Sequence, residues 1–180
     1  MIRALVPLAN GVEEIEAVVI IDVLRRAKWH VTVAGLQAGA ILASRGVRLL
    51  PDTALAAVDL PDHAVLALPG GSEGTKALMG DARVLAAVRQ FVAAGKLVGA
   101  ICAAPLVLQA AGVLRNRRAT CHPGVRSQLT EPAVSDDRVV IDGLIVTSQG
   151  PGTAIDFALT LIRLAQGVAE AEAVARGLVL

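Results

Sequence analysis

Aromatic residues are nearly missing from this sequence. Trp29, Phe91 and Phe157 are the whole set in 180 residues, and there is no tyrosine. Binding nucleic acid by base stacking needs aromatic platforms, which this chain does not supply. An excess of one charge is missing as well, since 17 Lys and Arg stand against 16 Asp and Glu. That balance gives no basic footprint for nucleic acid and no attraction to an anionic membrane. Cysteine is scarce, with only Cys102 and Cys121. Two cysteines make no disulfide scaffold, so the expected setting is reducing and cytoplasmic. One basic residue and the short apolar run Ala4 to Ala9 lead into Asn10, Gly11 and three glutamates, which does not read as a secretory leader. No Gly-Lys-Ser/Thr and no complete GxGxxG follows an apolar run, so a phosphate loop is not expected. Cys121-His122 lacks a third strong ligand for zinc. The expectation is a protein without metal or cofactor.

Only one long apolar run is present, Leu97 to Leu114, with Gln109 as its sole strongly polar side chain. Its length approaches a membrane span. Gly99, Pro105 and Gly112 punctuate it, however, and it divides into a buried strand, a turn and a buried helix. The rest of the chain repeats that alternation. Strands are expected at Arg3 to Ala9, His30 to Leu36, Ala64 to Leu68 and Leu97 to Ile101, with helices between them. One helix runs over Glu13 to Lys28, its apolar residues Ile15, Val18, Val19, Ile21, Val23 and Ala27 on one broad face. Ser72 and Asp81 are candidate caps for two further helices. Hairpins are expected around Ser44-Arg45-Gly46 and Asp142-Gly143. Two helices follow, Gly152 to Gln166 and Ala169 to Arg176. Strands alternating with helices mean a mainly parallel sheet covered on both faces, an α/β sandwich, in one domain over residues 1–180.

Ligands bind such sheets at the carboxyl ends of strands. Three marked turns fall there: Asn10-Gly11, Pro69-Gly70-Gly71 and Ile101-Cys102-Ala103. Cys102 sits where an apolar strand turns into a helix. Unpaired amides at a helix start favour thiolate over thiol, and thiolate is the reactive form. The alternative, a buried structural cysteine, is common for this residue type, but the strand-to-helix turn favours chemistry. Among Glu13, Glu14 and Glu16, acids in a first helical turn compensate the helix dipole. Glu16, one turn beyond Glu13, is placed either to do the same or to point inward beside the thiol with a raised pKa. Gly70 and Gly71 let backbone amides approach a developing oxyanion. His122 is the only one of three histidines in a plausible site loop.

Five motifs occur in order: Gly11-Val12-Glu13-Glu14-Ile15-Glu16, Leu68-Pro69-Gly70-Gly71, Ala100-Ile101-Cys102-Ala103-Ala104-Pro105, Cys121-His122-Pro123 and Thr147-Ser148-Gln149-Gly150-Pro151-Gly152-Thr153. Together they resemble the ThiJ/PfpI superfamily, in its DJ-one/YajL branch, over essentially the whole chain. The resemblance implies a flavodoxin-like three-layer sandwich and a homodimer. It implies Cys102 as an oxidation-prone nucleophile and Glu16 as its carboxyl partner. It also implies Gly71 and Ala103 as oxyanion amides and His122 as an auxiliary base. Gly70, Arg45 and Gln149 would border the substrate. Gln149 stands where the human member has arginine, and Ala43 where it has a further cysteine.

The implied activity is a glutathione-independent glyoxalase or deglycase. It would act on methylglyoxal, glyoxal or their early glycated adducts and would protect against oxidative stress. Two alternatives stand beside it: a redox-sensing chaperone switched by oxidation of Cys102, and a cysteine peptidase or amidase.

Overall fold

A computed structural model describes all 180 residues, Met1–Leu180. In chain order the elements are β1 (Arg3–Leu8), α1 (Glu14–Arg26), β2 (His30–Gly35), β3 (Ile41–Leu42), β4 (Arg48–Leu49), β5 (Thr53–Ala54), β6 (Val65–Leu68), α2 (Ser72–Gly80), α3 (Ala82–Ala93), β7 (Leu97–Ile101), α4 (Pro105–Ala110), β8 (Arg118–Ala119), β9 (Ala133–Val134), β10 (Val139–Asp142), β11 (Ile145–Ser148), α5 (Ala154–Gln166) and α6 (Val168–Gly177). Seven strands form one sheet in the order β10-β11-β7-β6-β1-β2-β5. All neighbours in it run parallel except β10 and β11, which form the expected Asp142-Gly143 hairpin.

Period-two alternation sends successive strand residues to opposite faces. Ala4, Val6 and Leu8 meet Ala17, Ile20, Leu24, Phe157 and Leu161 on the face covered by α1, α5 and α6. Leu5, Leu66 and Val98 meet Leu78, Val88, Phe91 and Val107 on the face covered by α2, α3 and α4. Both faces of the parallel strands are therefore apolar, and the chain is a three-layer α/β/α sandwich. Its helices are too short to cross a membrane.

The scarce aromatics are used at full burial: Phe91 and Phe157 are 1% and 0% exposed. Gly99 of β7 makes room for the second. A Cβ there would come within 2.6 Å of Phe157 Cζ. Gly99→Val is expected to cost at least about 3 kcal/mol, the upper end for overpacking a core, because a strand backbone and a fully buried ring have little freedom to part. Urea denaturation would measure it.

Several expectations need correction. The apolar face assigned to α1 is only partly the buried one: Val23 and Ala27 are buried, but Ile15 and Val18 are 54% and 47% exposed, and Ala17, Ile20 and Leu24 are buried instead. The helix is apolar around most of its circumference, so its pattern does not single out one face. Ser72 does not cap α2; Gly71 holds that position with φ +95°. Asp81 does cap α3, accepting from the Arg83 amide. The helix after Cys102 begins at Pro105, with Ala104 as cap. Arg118–Ala119 pairs with β9, outside the main sheet. Gln109, the lone polar residue of the long apolar run, donates to Gln128 O and accepts from the amides of Thr130 and Glu131. It ties α4 to an irregular loop.

Candidate active site

Strands β7, β6 and β1 are neighbours in the sheet. The turns at their carboxyl ends therefore meet, as the sequence suggested. Cys102 follows β7 directly and has φ +65°. The left-handed region costs a non-glycine residue roughly 1–2 kcal/mol, and neighbouring backbone holds Cys102 in it. Its amide donates to Ser148 O at 2.9 Å, and its carbonyl accepts from the His122 amide at 2.8 Å. The strand after the hairpin and the Cys121-His122 turn thus clamp Cys102 from two sides.

Glu16 reaches the same point from the start of α1. Glu13 caps that helix, its Oε2 accepting from the Glu16 amide at 2.7 Å. This fixes the first turn and sends the Glu16 side chain inward, where it is fully buried. Glu16 Oε2 accepts from the Gly70 amide at 2.7 Å. Oε1 has no hydrogen-bond partner; the side chains that act on this carboxyl are the Cys102 thiol and, through its charge, Glu13.

Burial raises the Glu16 pKa to about 7, against the lowering effect of the Gly70 amide and the Cys102 thiol. Burial also pushes the Cys102 thiol up to about 12, aided by the charge of Glu16, while the amides of Gly71 and Ala103 pull it down. The thiolate expected from a helix start is therefore not the resting form. The amides facing the sulfur come from a turn and from the β6 loop, because α4 starts three residues later. At rest the pair is a thiol beside a carboxyl that titrates near neutrality. When that carboxyl takes the thiol proton, its opposing charge disappears and the two amides remain to stabilise the sulfur anion.

The glycines are required by contact. Gly70 has no room for a side chain: a Cβ would lie 2.7 Å from Cys102 Cβ and 2.9 Å from Glu16 Oε2. The sulfur opens onto a cavity of about 670 Å³ whose lining includes Gly71, Cys102, Ala103, Arg45 and His122. Gly70 and Glu16 lie behind that surface. Gln149 is not part of the lining; its Nε2 donates to Asp136 O at 2.8 Å, which turns it toward the neighbouring loop.

His122 stands on the exposed rim of the cavity. Its Nδ1 accepts from the Gly124 amide at 3.0 Å. In the neutral ring that places the proton on Nε2, so the free ring nitrogen is a donor rather than the expected base. His122→Asn is expected to lower the rate of Cys102 alkylation by iodoacetamide by less than about tenfold, a smaller loss than removing a positioned general base gives, as followed by mass spectrometry.

Sequence reasoning missed the role of Glu14. It is buried, and its two carboxylate oxygens accept from Ser44 Oγ and the Arg45 amide, each at 2.7 Å. Three backbone amides extend the tether. Gly11 N donates to Leu42 O, Ser44 N to Val12 O, and Leu42 N to Asn10 Oδ1. The β3–β4 hairpin is thereby fixed to the β1–α1 turn as one wall of the cavity. The only sequence signal was its place among the motif glutamates, and dipole compensation explained it equally well.

A parallel α/β sandwich with a strained cysteine after an inner strand, backed by a buried carboxyl, defines a cysteine-centred site at the carboxyl ends of the strands. This chain belongs to the DJ-1/PfpI family, whose model matches residues 2–164. It is 44% identical to Drosophila melanogaster protein dj-1beta over 178 residues, covering 97% of this chain and 95% of that protein. The crystal structure of Drosophila melanogaster DJ-1beta covers 99% of this chain and 98% of its own, with a TM-score of 0.96. The sandwich is accordingly the flavodoxin-like fold of these relatives. The glutathione-independent glyoxalase DJR-1.2 of Caenorhabditis elegans is 38% identical over 158 residues, 86% of this chain and 83% of that protein. A structure of oxidized Toxoplasma gondii DJ-1 is 38% identical, with a TM-score of 0.95, and covers 99% of this chain and 98% of its own.

Proposed function

We propose that this protein is a cofactor-free, cysteine-dependent glyoxalase acting on methylglyoxal, glyoxal or their early adducts on amines and thiols. The observation that carries the reading is a thiol and a near-neutral carboxyl sharing one buried position at the floor of an open cavity. A relative named as a glutathione-independent glyoxalase supports it.

The chemistry balances without a cofactor. Glu16 takes the Cys102 proton as sulfur attacks the aldehyde carbon of methylglyoxal. The carbonyl oxygen becomes an oxyanion beside the amides of Gly71 and Ala103 and is protonated to a hemithioacetal. A proton then leaves the former aldehyde carbon while the neighbouring ketone oxygen is protonated, giving an enediol. Protonation of the former ketone carbon, with loss of the hydroxyl proton beside sulfur, turns the enediol into a lactoyl thioester. Glu16 serves this transfer because its pKa lies near 7, where it both accepts and returns a proton. Water cleaves the thioester, releasing lactate and restoring the thiol. The net change is methylglyoxal plus water to lactate.

Lactate formed from methylglyoxal without glutathione is the test. Wild type is expected to turn over, and Cys102→Ala to lose at least about 10²-fold, since no other group supplies the covalent step. Equal rates in the two proteins would end the proposal.

A second reading rests on the same sulfur. A protonated Glu16 and two backbone amides suit a cysteine sulfinate as well as an oxyanion, and a relative has been crystallised oxidized. Oxidation of Cys102 would then switch a protective, chaperone-like role. Mild peroxide should add two oxygens at Cys102 by intact mass and peptide mapping. Addition elsewhere only would remove this reading.

A further inference from the structure

We infer that Glu13 is a positioning residue for the thiol–carboxyl pair: it closes a ring of hydrogen bonds that holds Glu16 behind the sulfur, and its charge makes Glu16 a stronger base for the Cys102 proton. The inference rests on Cys102 and Glu16 as the reactive pair of the cavity, and on nothing about turnover.

Three residues form the ring. The Glu13 amide donates to Gly70 O at 3.0 Å. The Gly70 amide donates to Glu16 Oε2 at 2.7 Å. The Glu16 amide donates to Glu13 Oε2, also at 2.7 Å. The start of α1 is thereby locked to the β6 loop directly behind Cys102, where Gly70 lies against both the Cys102 Cβ and Glu16 Oε2. Of the three, only Glu13 lines the cavity. It forms no ion pair, so no cation neutralises its charge.

Covalent geometry keeps that charge near Glu16. Glu13 Oε2 lies 2.7 Å from the Glu16 nitrogen. The Glu16 carboxyl carbon is at most about 5 Å from the same nitrogen along its own side chain, so charge and carboxyl lie within about 8 Å of each other. Burial is the main cause of the raised Glu16 pKa; Glu13 is the one charged group that adds to it, and the Gly70 amide and Cys102 thiol oppose it. Glu13 is not among the groups that act on the sulfur. Arg45, Glu73 and His122 line the cavity from the β3–β4 hairpin, α2 and the loop after β8, and none of them acts on Glu16.

The reactive form is a thiolate beside a protonated Glu16, with one proton shared by the pair. At low pH its population depends on the thiol alone. Above the Glu16 pKa it depends on how strongly Glu16 competes with sulfur for the remaining proton. Removing the Glu13 charge weakens that competition and leaves the low-pH limb untouched.

Iodoacetamide tests this without turnover and, being neutral, without charge attraction. Sulfur displaces iodide as the S–C bond forms, and the thiol proton passes by way of Glu16 to solvent. The rate at Cys102 is followed by mass spectrometry from pH 5 to 9. In wild type it should rise through a midpoint of about 7 and then level. Glu13→Gln keeps an oxygen for the Glu16 amide and loses the charge. Its midpoint should fall by about half a pH unit, the effect of one charge at this separation in a largely watery site. Its plateau rate should fall about threefold, the same free energy read as a rate, while the two proteins react equally fast at pH 5. Glu13→Asp keeps the charge and a good cap, and should keep the wild-type midpoint. A Glu13→Gln profile with the wild-type midpoint overturns the proposal, whether its rate is unchanged or is lowered equally at every pH, as loss of support alone would give. A Glu13→Asp midpoint displaced as far as that of Glu13→Gln overturns it as well. The expected profiles, in a wild type that forms no lactate, would support the role of Glu13 and overturn the glyoxalase reading alone.

Discussion

Glu16→Gln is expected to lose at least about 10²-fold in turnover, the scale of a general base, while becoming more stable than wild type above pH 7. The two effects have one origin. Burial raises the Glu16 pKa from 4.5 to about 7. Between those values the folded chain holds a proton that the unfolded chain has released. Wild-type stability therefore falls as pH rises through this window, and the deficit is complete above about 7. The size is roughly 3 kcal/mol for a shift of this extent. Glutamine carries no charge to desolvate. Its amide oxygen can still accept from Gly70, and its NH2 replaces the partnerless Oε1. The variant should lack this fall between pH 5 and 8, so that its stability advantage over wild type grows from nearly nothing at pH 4.5 to its full size by pH 8. The rate profile follows from the same titration. Wild-type kcat/KM should rise with pH through about 7 as Glu16 ionises and then level, because the thiol lies far above that range. Urea denaturation and initial rates across pH 5–8 check both halves. A glutamine variant less stable than wild type at pH 8 would refute the claim that this carboxyl is held at a cost.

The layered architecture was legible because its signal is one of polarity. Strands buried on both faces must be continuous apolar runs, and Val65–Leu68 and Leu97–Ile101 are such runs. The convergence of the Gly11, Gly70 and Cys102 turns followed from strand order, since parallel strands bring their carboxyl ends to one edge. Two-residue strands such as Thr53–Ala54 carry no period and passed unseen. The buried face of α1 was misread for a related reason, since Ile15 and Val18 look no different in sequence from Ile20 and Leu24. In the site, the placement of Cys102 was legible but its protonation was not. The sequence shows a strand becoming a helix and cannot show that three residues of turn intervene, which removes the helix amides. Nor can it show that Gln149 is taken up by the carbonyl of Asp136, or that Nδ1 of His122 is taken up by the amide of Gly124. These are pairings between side chain and backbone, and every loop offers backbone groups of this kind.

Gly71→Ala should be the most damaging single-methyl change in the chain, with a loss of stability above about 4 kcal/mol, which only a few mechanisms reach. Two effects add. Gly71 has φ +95°, where an L side chain is strained. A Cβ there would also lie 2.3 Å from Gly11 O and 2.5 Å from Glu13 N. Both neighbours are backbone, so no side chain can swing aside. To make room, the β1–α1 turn must part from the start of α2, breaking the bond from Glu13 N to Gly70 O at 3.0 Å. That turn orients Glu16 and anchors the β3–β4 hairpin, so the site is lost along with the stability. Gly46 separates the two effects. It has φ +92° with nothing within 4 Å of its Cβ position, so Gly46→Ala carries the conformational cost alone, about 1–2 kcal/mol. The difference between the two variants in urea denaturation reads the steric part. If Gly71→Ala loses no more than Gly46→Ala, the close approach of these two loops does not hold the site together.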